Sequence, residues 1–250
     1  LIDSGVTGIA YETVVKDGRI PLLEPMSEVA GILAAYIGAI YTNRLQHKSK
    51  QIIRQFPKAP PGLKLNKVVV LGGGVAGTNA AQMSAKLGAE VVITEINPHR
   101  KEQLKQYFQE NNLKVKILDP NTDKDLLFEA EKEAQVIIGG VYLPGRRAPI
   151  VLDKKALSKI GSGKVIVDIA IDQGGCIAGS RPTTYEEPIF VDRFGNVRYC
   201  VANMPAAVGR QASQFLEEVT LSYTLALAKG LPQAIKEYPE LLSGINVAYG

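Results

Sequence analysis

With 250 residues, 46% of them hydrophobic and 22% charged, the chain can bury the core of one large α/β domain, or of one domain and part of a second. That balance excludes disordered, collagen-like and disulfide-stapled classes. The net charge of +4 comes from 29 basic and 25 acidic residues spread along the chain. There is no Trp and little interleaving of Lys or Arg with aromatics, so no nucleic-acid partner is expected.

Cys176 and Cys200 are too few for a disulfide framework or a four-ligand zinc site, and too far apart for a redox-pair motif. They read as reduced thiols of a cytoplasmic protein. The longest apolar run, Val29 to Tyr41, is punctuated by Gly31 and Gly38 and falls short of the roughly 18 residues of a membrane span, so no membrane partner is expected. No basic-then-apolar leader opens the chain, and Leu1 leads directly into strand-like sequence, which suggests residues upstream.

In chain order, Gly5 to Val15 reads as a strand and Asp17-Gly18 as a turn. Met26 to Leu45 predicts a helix with Val29, Ile32, Leu33, Tyr36, Ile37, Ile40 and Tyr41 on one side. Its small residues, Gly31, Ala34, Ala35, Gly38 and Ala39, predict close contact with another backbone. The pattern fits a helix linking two domains and an ordinary core helix equally. Residues 46–64, polar and then rich in proline (Pro57, Pro60, Pro61), read as a connection into a new unit.

From Lys67 onward, short apolar runs alternate with helix-length amphipathic stretches. Strands are predicted at Val68 to Leu71, Val91 to Thr94, Val115 to Leu118 and Val136 to Ile138. Helices are predicted between them at Val75 to Leu87, Pro98 to Asn111 and Asp123 to Ala134. Asn97-Pro98 marks one helix start, since Asn caps free amides and proline suits the first helical position. A short helix at Asp153 to Ile160, a run at Val165 to Ile169, a last strand at Val197 to Val201 and a long helix from Val208 to Ala228 complete the pattern. Such alternation predicts an α/β fold with a doubly wound parallel sheet of the Rossmann type.

Val68 to Gly77 joins a buried strand to a glycine-rich turn that opens a helix, the context in which such a turn binds a dinucleotide. Gly72 permits the sharp turn, Gly74 lets the backbone approach a pyrophosphate, and Gly77 allows close packing of helix on strand. The free amides of the helix start, from Val75 and Ala76, complete a phosphate cradle. Glu95, at the end of the second strand, is placed to accept hydrogen bonds from ribose hydroxyls and to repel a 2′-phosphate, which favours NAD over NADP. Arg100, one helical turn on, softens that preference.

Val167 to Gly175 sets two carboxylates after a buried strand. Asp172 is a candidate proton carrier or water positioner, and equally a loop-capping aspartate, whereas Asp168 within the apolar run reads as structural. His47 and His99 lie in no cluster, no grouping has metal-ligand spacing, and there is no serine nucleophile elbow.

Five ordered segments resemble alanine dehydrogenase: Pro25 to Gly31, Gly72 to Gly77, Val167 to Cys176, Ser180 to Tyr185 and Cys200 to Pro205. The stretches Asp168 to Gly175 and Val201 to Pro205 are more specific than the glycine turn. The resemblance implies a two-domain subunit with a deep cleft, usually assembled as a homohexamer. It also implies oxidative deamination of L-alanine to pyruvate and ammonium with NAD. Carried over by position, Ser27, Val75, Glu95, Arg100, Val141, Tyr142, Ile169, Asp172, Arg181, Val201, Ala202, Asn203 and Met204 line the cofactor site. Asp172 corresponds to the acid/base residue, and Met26 and Asn203 lie near the substrate. On this reading residues 25–204 form the NAD-binding domain with its connecting helix, and residues 1–24 and 205–250 are remnants of a substrate domain.

Two departures from the family pattern stand out. Roughly the first hundred residues of the pattern, which supply an arginine, a lysine and a histidine to the substrate, have no counterpart here. Glu95 stands where the family often has Asp, keeping the charge. Two alternatives compete: the nucleotide-binding component of a proton-translocating transhydrogenase, and a non-catalytic NAD(H)-binding protein. Neither would turn over an amino acid.

Overall fold

A computed structural model describes residues 1–46 and 65–248. Apart from Gln46, the proline-rich connection at 46–64 lies outside the described residues, and so does His47. The elements run β1 (Gly8–Ile9), α1 (Glu24–Gln46), β2 (Lys67–Leu71), α2 (Val75–Lys86), β3 (Glu90–Thr94), α3 (Pro98–Glu110), β4 (Val115–Leu118), α4 (Lys124–Glu133) and β5 (Val136–Gly139). They continue with α5 (Lys154–Lys159), β6 (Val165–Asp168), β7 (Ile189–Val191), β8 (Val197–Tyr199), α6 (Gly209–Leu227), α7 (Leu231–Glu237), α8 (Leu241–Gly244) and β9 (Ile245–Val247). Two units result, Glu28–Met204 and Leu1–Ser27 with Pro205–Gly250.

The larger unit holds a seven-stranded sheet in the order β4-β3-β2-β5-β6-β8-β7. All its pairings are parallel except that of β7 with β8. From β2 the chain winds outward to β4, returns past its starting point to β5, and winds outward the other way, as a doubly wound sheet does. None of Val68, Val69, Val70 and Leu71 is more than 2% exposed. Both faces of β2 are therefore covered, which is why its sequence is continuously apolar rather than alternating. Val68 and Val70 join Ala34 of α1, Ala80 and Ala81 of α2, and Leu104 and Phe108 of α3. On the opposite face Val69 and Leu71 join Leu157 of α5 and Ile177, with Leu127 and Phe128 of α4 packed against them. Each Val, Leu, Ile or Phe among them contributes about 1.5–3 kcal/mol on burial.

Glycines set the closest approaches. A methyl group on Gly77 would stand 1.8 Å from the Gly72 carbonyl oxygen, so only glycine lets α2 start this near to the end of β2. One on Gly31 would meet the Ala76 carbonyl oxygen at 2.2 Å, and one on Gly38 would meet Val136 Cγ1 at 2.7 Å. The small-residue stripe of α1 thus serves close backbone contact, and Ala34, Ala35 and Ala39 are fully buried. Asn97 caps α3 as its sequence implies, its side chain accepting from the Arg100 N–H with Pro98 in the first turn.

In the smaller unit β1 and β9 pair antiparallel, and Val14, Leu22, Tyr223, Ala226, Ala234 and Leu241 form a core. The strand expected over Gly5 to Val15 shrinks to Gly8–Ile9, because Tyr11–Thr13 turn as a 3-10 helix and Val14 is buried among helix side chains instead of along a ladder. The Asp17-Gly18 turn stands where expected, both residues at positive φ, between bridged Lys16 and Arg19. Three further corrections concern the ends of apolar runs. The strand expected at Val165 to Ile169 stops at Asp168, where a 3-10 turn begins; that expected at Val197 to Val201 stops at Tyr199; and the edge strand β7 was not foreseen. No helix among the described residues is long and apolar enough to cross a membrane.

Two buried ionisable side chains near the end of α4 stand outside the apolar logic. Lys164, 5% exposed, donates from Nζ to the carbonyls of Lys132 at 2.7 Å and Ala134 at 2.8 Å, satisfying the end of α4. Nearby Glu131 is also 5% exposed, and burial pushes its carboxyl up to about 7, the Lys164 charge opposing that rise.

This packing predicts two effects on stability. Gly77→Ala should lower the unfolding free energy by about 3 kcal/mol, since the intruding carbon meets backbone, not a side chain that can swing away; an unchanged urea midpoint would refute the close-packing account. For Glu131 the folded chain keeps a proton that the unfolded chain releases, between the ordinary 4.5 and about 7. Stability contributed by this site is therefore lost as pH rises through that window. Glu131→Gln should be more stable than the parent at pH 8 by about 1–3 kcal/mol, with the difference shrinking toward pH 5. Urea titrations at the two pH values check it, and an equal effect at both would remove the buried carboxyl as its source.

Candidate cofactor and proton-transfer site

Because β2, β3, β5, β6 and β8 are mutually parallel, their carboxyl ends share one edge of the sheet. The segments that leave these strand ends collect there: Gly72–Gly77 after β2, Glu95 after β3, Gly140–Tyr142 after β5, Ile169–Asp172 after β6, and Val201–Met204 after β8. Ligands of open α/β sheets bind at this edge, where the strand order reverses; here that point is between β2 and β5.

The glycine turn is built from both sides. Gly72 has φ of +103°, and its N–H donates to Thr94 Oγ1 at 3.0 Å, tying the turn to the end of β3. Gly74 caps α2 without a side chain, and a methyl group there would meet nothing within 4 Å. Open space in front of an uncapped helix start is what a phosphate cradle requires. Over Gly73 sits the half-buried Glu95, whose Oε2 would be 2.7 Å from a methyl group on that glycine and whose Oε1 accepts from the Asn97 N–H at 2.8 Å. Arg100 donates from Nε to the Gly73 carbonyl at 2.9 Å and from a terminal nitrogen to Thr78 Oγ1 at 2.9 Å. Its guanidinium braces the turn.

Asp168 and Asp172 have opposite roles. Asp168 is fully buried, and its carboxylate accepts from the N–H groups of Cys176 and Ile177 and from Ser180 Oγ at 2.6 Å. It pins the chain that returns after the Asp172 turn. Asp172, by contrast, reaches solvent and accepts from the Asn203 N–H at 3.3 and 3.4 Å. Partial desolvation raises its carboxyl above the usual aspartate range, opposed by that N–H. The loop after β5 lies against this turn, with Gln173 Nε2 donating to the Leu143 carbonyl at 3.3 Å and the Ala148 N–H to the Gln173 carbonyl at 3.1 Å.

Of the other sequence-derived residues, Val201 and Met204 are buried while Ala202 and Asn203 are exposed on the last segment. Val141 and Tyr142 lie on the loop after β5, and Ile169 opens the Asp172 turn. Arg181 stacks over Phe190 of β7, its guanidinium carbon 4.3 Å from the ring centroid. Met26 and Ser27 belong to the smaller unit, in the first turns of α1. Thr94, Thr78 and Tyr185 escape sequence reasoning as site-supporting residues, since nothing in a strand end or a loop tyrosine signals the bonds they make. Both thiols are buried; burial raises Cys200 to about 11 and Cys176 still further, which removes them as nucleophiles. Among the described residues no group of His, Cys, Asp and Glu is arranged to hold a metal ion.

Comparison with known proteins agrees with this geometry. The family model for the alanine dehydrogenase/PNT C-terminal domain matches residues 34–250. Alanine dehydrogenase of Halomonas elongata is 42% identical over 252 residues, spanning all of this chain and 65% of that protein. The Bacillus subtilis alanine dehydrogenase is 40% identical over 252 residues, spanning all of this chain and 64% of its own length. The chain therefore covers just under two thirds of these curated relatives. A solved L-alanine dehydrogenase superposes with a TM-score of 0.82 at 40% identity, over all of this chain and 66% of that one. Transhydrogenase from Sinorhizobium meliloti, at a TM-score of 0.72 and 20% identity over 98% of this chain and 68% of that one, shares the fold. From the strand order, the glycine turn and these matches together, the chain belongs to the alanine dehydrogenase/PNT C-terminal domain family.

Proposed function

We propose that the protein catalyses NAD-dependent oxidative deamination of L-alanine to pyruvate and ammonium, and the reverse reductive amination, with this chain supplying the cofactor site. The Glu28–Met204 unit is assigned as the nucleotide domain and the smaller unit as part of the substrate domain; the assembly proposed is the homohexamer that the family resemblance implies. One observation carries the reading: the open, uncapped helix start at Gly74 shares a sheet edge with an aspartate whose carboxyl is raised by desolvation. A cradle for an anionic cofactor beside a proton carrier is what hydride removal and subsequent hydrolysis need.

Gly72, Gly74, Val75, Ala76 and Gly77 would hold the pyrophosphate, Glu95 the adenosine ribose, and Val141, Tyr142, Ile169, Arg181 and Val201 to Met204 the remainder. Bound there, NAD supplies a hydride acceptor. Asp172 then orients the water that attacks the iminium carbon, takes one proton from it and passes that proton to the amino nitrogen; as the C–N bond breaks it takes the remaining hydroxyl proton and returns it to the departing ammonia, giving pyruvate and ammonium. Relatives at 40–42% identity named alanine dehydrogenase favour this reading over the transhydrogenase component, whose solved representative is 20% identical.

NADH formation by the full-length protein across a panel of L-amino acids tests the assignment. Alanine should give the fastest turnover, and Asp172→Asn should lower kcat by about 10²–10⁴, far more than it weakens NADH binding. NADH binding with no turnover on any amino acid would sink the proposal. A second expectation concerns Glu95: replacing it with Gln should raise the NADP-to-NAD ratio of kcat/KM by roughly tenfold, the effect of removing about 1.4 kcal/mol of charge repulsion. An unchanged ratio would mean that the carboxylate does not face the 2′ position.

A further inference from the structure

The contact between Asp172 and the Asn203 amide depends on a backbone that needs support. Asn203 has φ of +51°, in the left-handed region, which asparagine adopts more readily than other non-glycine residues but which still needs neighbours to fix it. Tyr185 provides a clamp. Its hydroxyl lies 2.9 Å from the Met204 carbonyl oxygen and 3.2 Å from that of Asn203, so one proton is directed at both. The clamp is itself registered two residues earlier. The Thr183 N–H donates to the Cys200 carbonyl at 2.9 Å, the Cys200 N–H returns to Thr183 Oγ1 at 3.3 Å, and Thr183 bridges Val201 in parallel. Residues 183–185 and 200–204 thus run side by side, tied by Thr183 at one end and Tyr185 at the other.

We propose that Tyr185 is a positioning residue: by holding the Asn203 and Met204 carbonyls it keeps the Asn203 N–H aimed at the Asp172 carboxylate. An N–H donated to a carboxylate favours its ionised form, so loosening the clamp raises the pH at which Asp172 takes up a proton. Two charged groups pack against the same turn: Asp168, occupied by Cys176, Ile177 and Ser180, and Arg147, whose Nε would be 3.2 Å from a methyl group on Gly174. The consequence for turnover rests on the amino-acid dehydrogenase reading; the contact itself does not.

The test is an isotope-edited infrared titration of Asp172 in the full-length protein, identified by difference against Asp172→Asn, in the parent and in Tyr185→Phe. Tyr185→Phe should raise the midpoint by about half a pH unit, a roughly threefold gain in proton affinity, as fits loss of a long hydrogen bond. The acid limb of NAD-dependent alanine oxidation should move with it, in kcat more than in KM. A folded Tyr185→Phe protein with an unmoved midpoint overturns the proposal, whatever happens to its activity. Amide exchange at Asn203 in the parent protein, corrected for the intrinsic rate, needs no change at Tyr185 and should slow as Asp172 ionises; failure to do so also overturns it. Should the midpoint move while no amino acid yields NADH in the parent, the positioning role stands and the dehydrogenase reading falls.

Discussion

The glycine-turn half of the candidate site hangs from the approach of Gly77 to the carbonyl of Gly72, where a single added carbon would stand 1.8 Å from oxygen. That approach lets α2 begin almost on top of the end of β2. The helix start then faces the sheet edge with no side chain in front of it, and its amides are left for a ligand. Arg100 and Thr94 are consequences of the same geometry. One braces the Gly73 carbonyl and the other accepts from Gly72, so a turn rich in glycine, intrinsically loose, is bound on two sides. A turn of intrinsically flexible sequence is fixed because its neighbours supply the constraint.

The opposite half of the edge is built on a buried carboxylate. Asp168 ends β6 at zero exposure, where an uncompensated charge would be costly, and it is matched by two backbone N–H groups and a serine hydroxyl. These donors, together with the Cys176 thiol at 3.5 Å, all come from the segment Cys176–Ser180, so the interaction closes the intervening loop like a drawstring. Asp172 rides on that loop. The buried aspartate fixes where the exposed one stands: Asp168 is enclosed by its donors, while Asp172 faces solvent and accepts from one amide.

Much of this was legible in the sequence, for reasons that differ by element. Strands buried on both faces announce themselves as continuous apolar runs, and the Val-rich β2, β3, β5 and β6 were all recognisable. The glycine turn, the Asn97 cap and the structural part played by Asp168 came from short-range chemistry. What escaped depends on contacts distant in the chain. β7 is three residues long and exists because Asp192 and Asn196 turn it back onto β8. Gly5 to Val15 has strand composition, but only two of its residues form a strand ladder, with a partner supplied from the far end of the chain. Tyr185 reaches Met204 across nineteen positions, and no local pattern encodes that.

The two halves of the edge also differ in stiffness, and the difference matches what each would do. Cofactor recognition asks for fixed geometry, and the glycine turn meets it with close packing and bonds of 2.9–3.0 Å. Proton transfer asks for a group able to gain and lose charge in place, which a carboxylate saturated with short, strong donors cannot do. Asp172 receives long bonds of 3.3 and 3.4 Å from a single amide and retains access to water. Such weak solvation by the protein leaves its charge adjustable, and the burden of precision passes to the residues that hold the loops. Asp168 holds one and Tyr185 the other, so the adjustable group sits between two fixed points.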